Sequence, residues 1–343
     1  MSGGRRKTFI VPVFIPNQGC PHRCVFCEQE KITAQQQGPV DARRVTRIIE
    51  TAICSRRFDP AHAEVAFYGG TFTNLNLQVM EELLGSVSPF LKKGIFTGIR
   101  VSTRPDSLDP EKLALMKRRG VRTVELGVQS MDDHVLALSG RGHSARDSEK
   151  AVGLLKNLGF LVGIQLMPGL PGDSREVFLS TVEKVIGLQP AMARLYPALV
   201  IKGTALARMY EKGDYVPLGL AEAVEICAES CRMLEKAGIP VIRMGLMSSP
   251  TLLLQGQILA GPWHTAFGFL VRCRMYQEAI ASQLPSRGRL EKVSIRVRDR
   301  DVPLLRGYRN EGIQWVSMMT GAEVLAVEGD CSLPPGRIEV LET

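Results

Sequence analysis

The residues most able to do chemistry stand in "NQGCPHRCVFCEQEKITAQ", Asn17 to Gln35. Cys20, Cys24 and Cys27 fall within eight residues here, while the other five of the chain's eight cysteines are scattered downstream. Three thiolates on one tight loop suit a [4Fe–4S] cluster in which three irons take protein ligands and the fourth stays open. A closed zinc site asks for a fourth ligand, and His22, inside the loop, is the candidate to supply it. Eight cysteines in 343 residues are too sparse and irregular for a secreted disulfide scaffold. A tight cluster in a reducing compartment points instead to metal or redox chemistry.

Such a loop needs elements to hold it, and the chain alternates two kinds. Apolar runs rich in β-branched residues recur at "FIVPVFI" (Ile10, Val11, Val13, Ile15), "AEVAFYGG", "GIRVST", "RTVELGVQS", "FLVGIQLMPG" and "MARLYP". Between them "VTRIIETAI", "LQVMEELLGSV", "DPEKLALMKRRG" with an Asp109 cap and Pro110 in its first turn, and "SREVFLSTVEKVIGL" from Ser174 read as helices. Six strand-then-helix units favour parallel pairing through right-handed crossovers. The expected fold is therefore α/β: a partial (β/α)6 TIM-like barrel over residues 1–245, with a small C-terminal α/β extension over 246–343. From about Lys292 the pattern changes to the apparent short strands "KVSIRVR", "GIQWVSM", "AEVLAVE" and "RIEVL" without intervening helices. In barrels of this kind chemistry sits at the carboxyl ends of the strands, and every unusual residue cluster here follows a strand.

Composition narrows the class. With 45% hydrophobic residues the chain can bury a sizeable core, which excludes global disorder. No run of about eighteen apolar residues is present to span a bilayer, and Pro12 and Pro16 interrupt the start before a signal-peptide core can form. A cytoplasmic protein without membrane partners is expected. The net charge of +8 leans toward an anionic partner such as RNA or a phosphorylated cofactor, although "RRK", "SRRF", "MKRRG" and "IRVRDRD" are dispersed and also suit solvated faces.

The thiol spacing, three residues and then two, with Phe26 just before the last cysteine, resembles the signature of the radical S-adenosylmethionine enzymes. The resemblance implies that the open iron chelates the amino and carboxylate groups of S-adenosylmethionine. One electron, from a donor such as flavodoxin or ferredoxin, then breaks a sulfur–carbon bond and releases a 5′-deoxyadenosyl radical. In that resemblance Gly69, Gly70 and Thr71 of "FYGGTFTNL" occupy the place of the segment that binds the methionine amino group. A Gly-Gly pair ending a strand lets backbone approach a ligand closely; taken alone it is also an ordinary turn. "VSTRPD" presents Ser102, Arg104 and Asp106, where Arg104 can grip a carboxylate or phosphate with two prongs or form a strand-end salt bridge. "ELGVQS" brings Glu125, Gln129 and Ser130, with Gln129 placed for ribose hydroxyls. Leu166 and Met167 of "IQLMPGLPGD" can cover adenine or simply pack the core. "RLYPALVIKGT" adds Tyr196 and Lys202, each able to touch the cofactor carboxylate, donate a proton or bind substrate.

Together "GCPHRCVFC", "FYGGTFTNL", "STRPD", "VELGVQSMDDHVL", "GRGHS", "MPGLPGD" and "RLYPALVIKGT" resemble, over roughly Ile10 to Gly213, the radical domain of the catalytic subunit of Elongator, the wobble-uridine tRNA modification enzyme. The resemblance implies tRNA as a partner. It departs in two respects. The residues after Gly213 are taken up by other elements, so no fused acetyl-CoA-using acetyltransferase domain is expected, and the basic N-terminal extension is reduced to "MSGGRRK". Ser102 also stands where the Elongator-type motif carries Glu. The shorter bacterial relatives of that subunit are the nearer likeness.

"LAGPWHTAFG" sets Trp263 beside His264, a pair that can stack on a base and exchange a proton, or that buries a loop and caps the following helix. Cys227 and Cys231 share a helix face, and with Cys54, Cys273 and Cys331 they read as buried thiols. The competing functional classes are a radical enzyme acting on RNA, one acting on a small metabolite such as a tetrapyrrole, and a non-catalytic iron–sulfur or zinc protein. Cofactor-type residues at successive strand ends favour an enzyme.

Overall fold

The structure, a computed structural model, describes residues 8–15, 18–20, 23–33, 40–247 and 249–342; His22 and the basic start "MSGGRRK" lie outside them. The chain divides into two compact units, Met1–Gly219 with Met233–Trp263 and Leu220–Arg232 with His264–Thr343. No described helix is long and apolar enough to cross a membrane.

The strands of the first unit are β1 (Phe9–Ile15), β2 (Ala63–Gly69), β3 (Gly98–Thr103), β4 (Val121–Gln129), β5 (Leu161–Leu166), β6 (Met192–Leu195), β7 (Val200–Ile201), β8 (Val241–Met244) and β9 (Ile258–Ala260). Seven of them form one sheet, in the order β1-β2-β3-β4-β5-β6-β8 and parallel throughout. This is the partial (β/α) barrel that the alternation predicts, with β8 added beyond the six strands read from the pattern. β7 and β9 form a separate antiparallel pair. β1 carries Pro12 yet remains a strand because it lies at the sheet edge, where a missing N–H costs no ladder bond.

Period-two alternation decides what each strand presents. Val65 and Phe67, Ile99 and Val101, Val124 and Leu126, and Ile164 and Leu166 are buried on one face beside helical Leu83, Met116, Leu155 and Phe178. The other face carries Tyr68, Arg100, Ser102, Glu125, Arg194 and Tyr196 from β2, β3, β4, β6 and the residue after it. Helix starts are locked by side-chain oxygens that accept backbone amides: Asp41, Asn76, Asp109, Asp132, Ser144, Ser174 and Thr204 all cap in this way.

In the second unit β10 (Lys292–Val297) is central, parallel to β11 (Glu323–Gly329) and antiparallel to β12 (Ile338–Glu342). Its core gathers Val293, Ile295, Val297, Leu305, Val316 and Ile338. One expectation fails here: "GIQWVSM" is not a strand but part of the helix Glu311–Thr320. Its buried residues are Gly312, Val316 and Thr320, a four-residue spacing that one helix face satisfies, and Gly321 ends the helix in the left-handed conformation. Cys54 and Cys331 depart from the buried reading as well. Both are exposed, because Cys54 caps the helix Ala42–Ile53 and Cys331 stands in the turn between β11 and β12, whereas Cys227, Cys231 and Cys273 are buried.

Candidate functional site

At the carboxyl ends of the parallel strands the first unit holds a cavity of about 680 Å³. Cys20, Cys24, Cys27 and Phe26 line it, and so do Gly69, Gly70 and Thr71. The loops after β1 and β2 form one wall. Gly70 N donates to Ile15 O at 3.0 Å, Thr71 N donates to Gln18 O at 2.9 Å, and Gln29 Nε2 donates to Gly69 O at 2.6 Å. Cys20 Sγ lies 3.4 Å from Thr71 Oγ1. Two glycines make this approach possible: a Cβ on Gly70 would overlap the Gln18 carbonyl, and one on Gly19, at φ +73°, would overlap the Thr71 carbonyl.

The thiol set fits a metal-sulfur group. Burial, followed by the negative charges of Cys24 and Cys20, pushes the Cys27 thiol up to about 12. Three thiolates are therefore unfavourable in this wall unless a bound cationic group compensates them. Among the described residues no group of three His, Cys, Asp or Glu gathers as a single bound ion requires. Soft sulfur donors along a wall with open space in front suit an iron–sulfur cluster with an accessible corner. Arg141 lines the cavity beside Cys24, its Nη1 donating to Cys24 Sγ at 3.0 Å and its Nη2 donating to the Gly127 carbonyl.

Deeper in the cavity wall lies a buried charged layer. Arg100 pairs with Glu64 at 2.7 Å and with Glu125 at 2.6 Å. Arg194 Nη2 donates to Glu125 at 2.8 Å and to the Tyr68 hydroxyl at 2.6 Å, while Nη1 donates to the Tyr196 hydroxyl at 3.2 Å. Tyr68 in turn donates to Glu125 at 3.3 Å. Burial, and then the Glu125 charge, hold the Tyr68 phenol protonated well above its ordinary range. Such ions are tolerated because each has a partner; removing one leaves an uncompensated charge.

The remaining predicted residues separate into two groups. Ser102, Arg104, Gln129, Met167 and Tyr196 all line the cavity. Arg104 uses its fork on Asp106, Nε to Oδ1 at 2.9 Å and Nη2 to Oδ2 at 2.8 Å, which is the strand-end salt bridge. Gln129 sits at φ +69°, at the register shift of β4 against β5, with its Oε1 accepting from Gln165 Nε2 at 3.3 Å. A left-handed glutamine stores strain of about 1–3 kcal/mol, and such strain clusters at working sites. Met167 is half-buried beside Phe26, Cys24 and Cys27, whereas Leu166 is fully buried in the core. Lys202 is exposed and is not among the lining residues; its backbone carbonyl accepts from Lys31 Nζ at 2.6 Å. His264 is also absent from the lining. In the second unit it packs edge-on against Tyr308 with ring centroids 4.8 Å apart, and its Nδ1 accepts from Ala266 N at 3.0 Å. Trp263, in the first unit, packs against Leu199, Ile201 and Leu252.

Sequence reasoning missed Tyr68, Arg194, Arg141, Arg23 and Arg243, all of which line the cavity. A signal was available for Arg194 and Tyr68. A charged or phenolic residue at alternate positions of an otherwise apolar strand must face a polar interior rather than the helix layer.

Comparison with known proteins agrees with this geometry. The radical SAM superfamily pattern matches residues 14–185, and the Radical_SAM C-terminal domain matches residues 190–277. A tRNA uridine(34) acetyltransferase of Methanocaldococcus infernus is 37% identical over 139 residues, 40% of this chain. The match spans only 26% of that relative, about a quarter of its length. A heme chaperone of Bacillus subtilis, HemW, is 27% identical over 203 residues, covering 57% of this chain and 52% of the relative. In fold, the archaeal Methanocaldococcus infernus Elp3 superposes with a TM-score of 0.61 at 24% identity, covering 79% of this chain and 63% of that one. With its thiol loop, its glycine loop and half of its length within that pattern, this chain belongs to the radical SAM superfamily.

Proposed function

We propose that this chain reductively cleaves S-adenosylmethionine on a [4Fe–4S] cluster held by Cys20, Cys24 and Cys27, and directs the resulting radical at a nucleoside of tRNA. When bound, the cluster supplies the single electron that breaks the sulfur–carbon bond. The observation that carries the reading is that the cysteine loop and the Gly69–Gly70–Thr71 loop form one wall of one cavity, tied by the Gly70, Thr71 and Gln29 hydrogen bonds. On this reading the loop carbonyls and amides after β2 orient the methionine end, and Ser102 and Gln129 offer polar atoms for the ribose. Met167 and Phe26 exclude water from the reacting carbon. Tyr196, held by Arg194, presents a hydroxyl to whatever lies opposite. The tRNA assignment rests on the similarity to the tRNA-modifying relative, on the net charge of +8, and on Arg23 and Arg243 in the cavity wall.

The test is anaerobic reconstitution followed by reduction with dithionite. One cluster per chain and formation of 5′-deoxyadenosine are expected, and both are lost in Cys20→Ala, Cys24→Ala and Cys27→Ala. Cleavage retained in any of the three would remove the proposal. Gel shifts with bulk tRNA should weaken steeply with salt as counterions are released. The similarity to the heme chaperone favours a second reading, a tetrapyrrole ligand; haem binding that displaces no tRNA, with tRNA no tighter than an acidic control polymer, would select it.

A further inference from the structure

We infer that Arg141 tunes the redox poise of this site: its guanidinium, hydrogen-bonded to Cys24 Sγ at 3.0 Å, stabilises the reduced form of the group that the three thiolates hold. The inference rests on the cluster reading above and extends it to a residue outside the cysteine loop.

Arg141 is buried, 5% exposed, on the loop between the helices Asp133–Leu138 and Ala145–Asn157. Its position is over-determined. Nη2 donates to the carbonyl of Gly127 in β4, and its own backbone carbonyl accepts from Arg104 Nη2, whose fork is fixed in turn by Asp106. The neighbouring backbone is also tied, since Val25 N donates to Ser139 O at 3.1 Å and so binds the cysteine loop to the same turn. Arg141 Nε is buried without a hydrogen-bond partner among the described residues, which is costly for a group of this charge unless an anionic neighbour compensates it. A thiolate-ligated cluster supplies that anion.

Electrostatics sets the direction. Adding one electron puts a further negative charge into a buried site of low dielectric, so a fixed guanidinium at the ligand sulfur favours the reduced state more than the oxidised one. Hydrogen bonds to sulfur and net local charge are the levers that place iron–sulfur potentials within their wide range. Asp106 neutralises Arg104 through a two-pronged ion pair, whereas among the described residues the side-chain acceptors of Arg141 are a carbonyl and a thiol. Of these two guanidinium groups, the one whose charge no carboxylate offsets is therefore that of Arg141, beside Cys24.

The experiment is an EPR-monitored redox titration of the anaerobically reconstituted full chain with dithionite, for wild type, Arg141→Gln and Arg141→Lys. Iron content and melting temperature are measured on the same samples. At the potential that half-reduces wild type, Arg141→Gln is expected to show about a tenfold lower reduced-to-oxidised ratio, about 59 mV for a one-electron couple. Arg141→Lys keeps a cation but cannot span both acceptors, and its ratio should fall by less. Arg141→Gln titrating with wild type at equal iron content overturns the inference. Should Arg141→Gln fail to load iron, Arg141→Lys decides, and a Lys variant reduced as easily as wild type or more easily overturns it. Wild type that takes up no cluster sinks the functional reading and this inference together; a loaded cluster with an unmoved potential sinks only this one.

Discussion

The backbone of Gly70 lies against the carbonyl of Gln18 so closely that a Cβ on Gly70 would overlap it. The glycine that ends the second strand's loop is thus required by the cysteine loop itself, before any ligand arrives. Gly70→Ala should cost about 1–3 kcal/mol, as overpacking does, and should lower iron retention together with S-adenosylmethionine binding. Gly85→Ala, in the helix Leu77–Lys92 where a Cβ meets nothing, is the control and should be neutral or stabilising by about 0.5–1 kcal/mol. Thermal melting of the two variants side by side checks this, and equal melting temperatures would refute it.

The buried charged layer ranks two further variants. Arg100 serves both Glu64 and Glu125, whereas Arg194 shares Glu125 with Arg100. Arg100→Met should therefore cost more, in the range of about 3–5 kcal/mol for an orphaned buried charge, than Arg194→Met, which leaves Glu125 paired. Denaturant unfolding at neutral pH reads the order; the reverse order would show that Arg194 carries the layer.

His143 sets an acid limb of stability. Burial, and then the Arg141 charge, lower its titration from 6.5 to about 4. The unfolded chain takes up the proton first, so stability is lost as pH falls from about 6.5 toward 4, by about 3 kcal/mol. His143→Leu should flatten the stability profile in that window, and an unchanged slope between the two proteins would disprove the assignment.

Thiol accessibility gives a fourth outcome. Under native conditions Cys54 and Cys331, both exposed, should alkylate first, and Cys227, Cys231 and Cys273 should resist. Cys20 and Cys24, half-buried on the cavity wall, should react in protein stripped of iron and be protected once a cluster is loaded, whereas Cys27, whose thiol burial pushes up to about 12, should label slowly in both states. Mass spectrometry of labelled peptides measures it; protection of Cys54 to the same degree would undo the link to the cluster.

Much of the scaffold was legible in the chain. Strand-helix alternation, the Asp109 and Ser174 caps, and glycine or charged residues after successive strands are local properties, written in neighbouring residues, and they set the partial barrel and the face on which chemistry would sit. The thiol spacing likewise points the first loop to metal–sulfur chemistry, because three ligands on one short loop need no help from the rest of the fold. What tertiary structure alone decided are relations between residues far apart in sequence. Arg141 reaches Cys24 across more than a hundred positions, a separation of 117, and Arg194 reaches Tyr68 across 126. Arg104 had its fork taken by Asp106, and Lys202 fell on the surface although it follows the same strand end as Tyr196. "GIQWVSM" became a helix for the same reason: its apolar residues suit either period over so short a stretch, and packing of Val316 in the second unit's core, on the helix face it shares with buried Gly312 and Thr320, chose between them. Local pattern fixes which residues can face inward; only the assembled sheet fixes which of them meet.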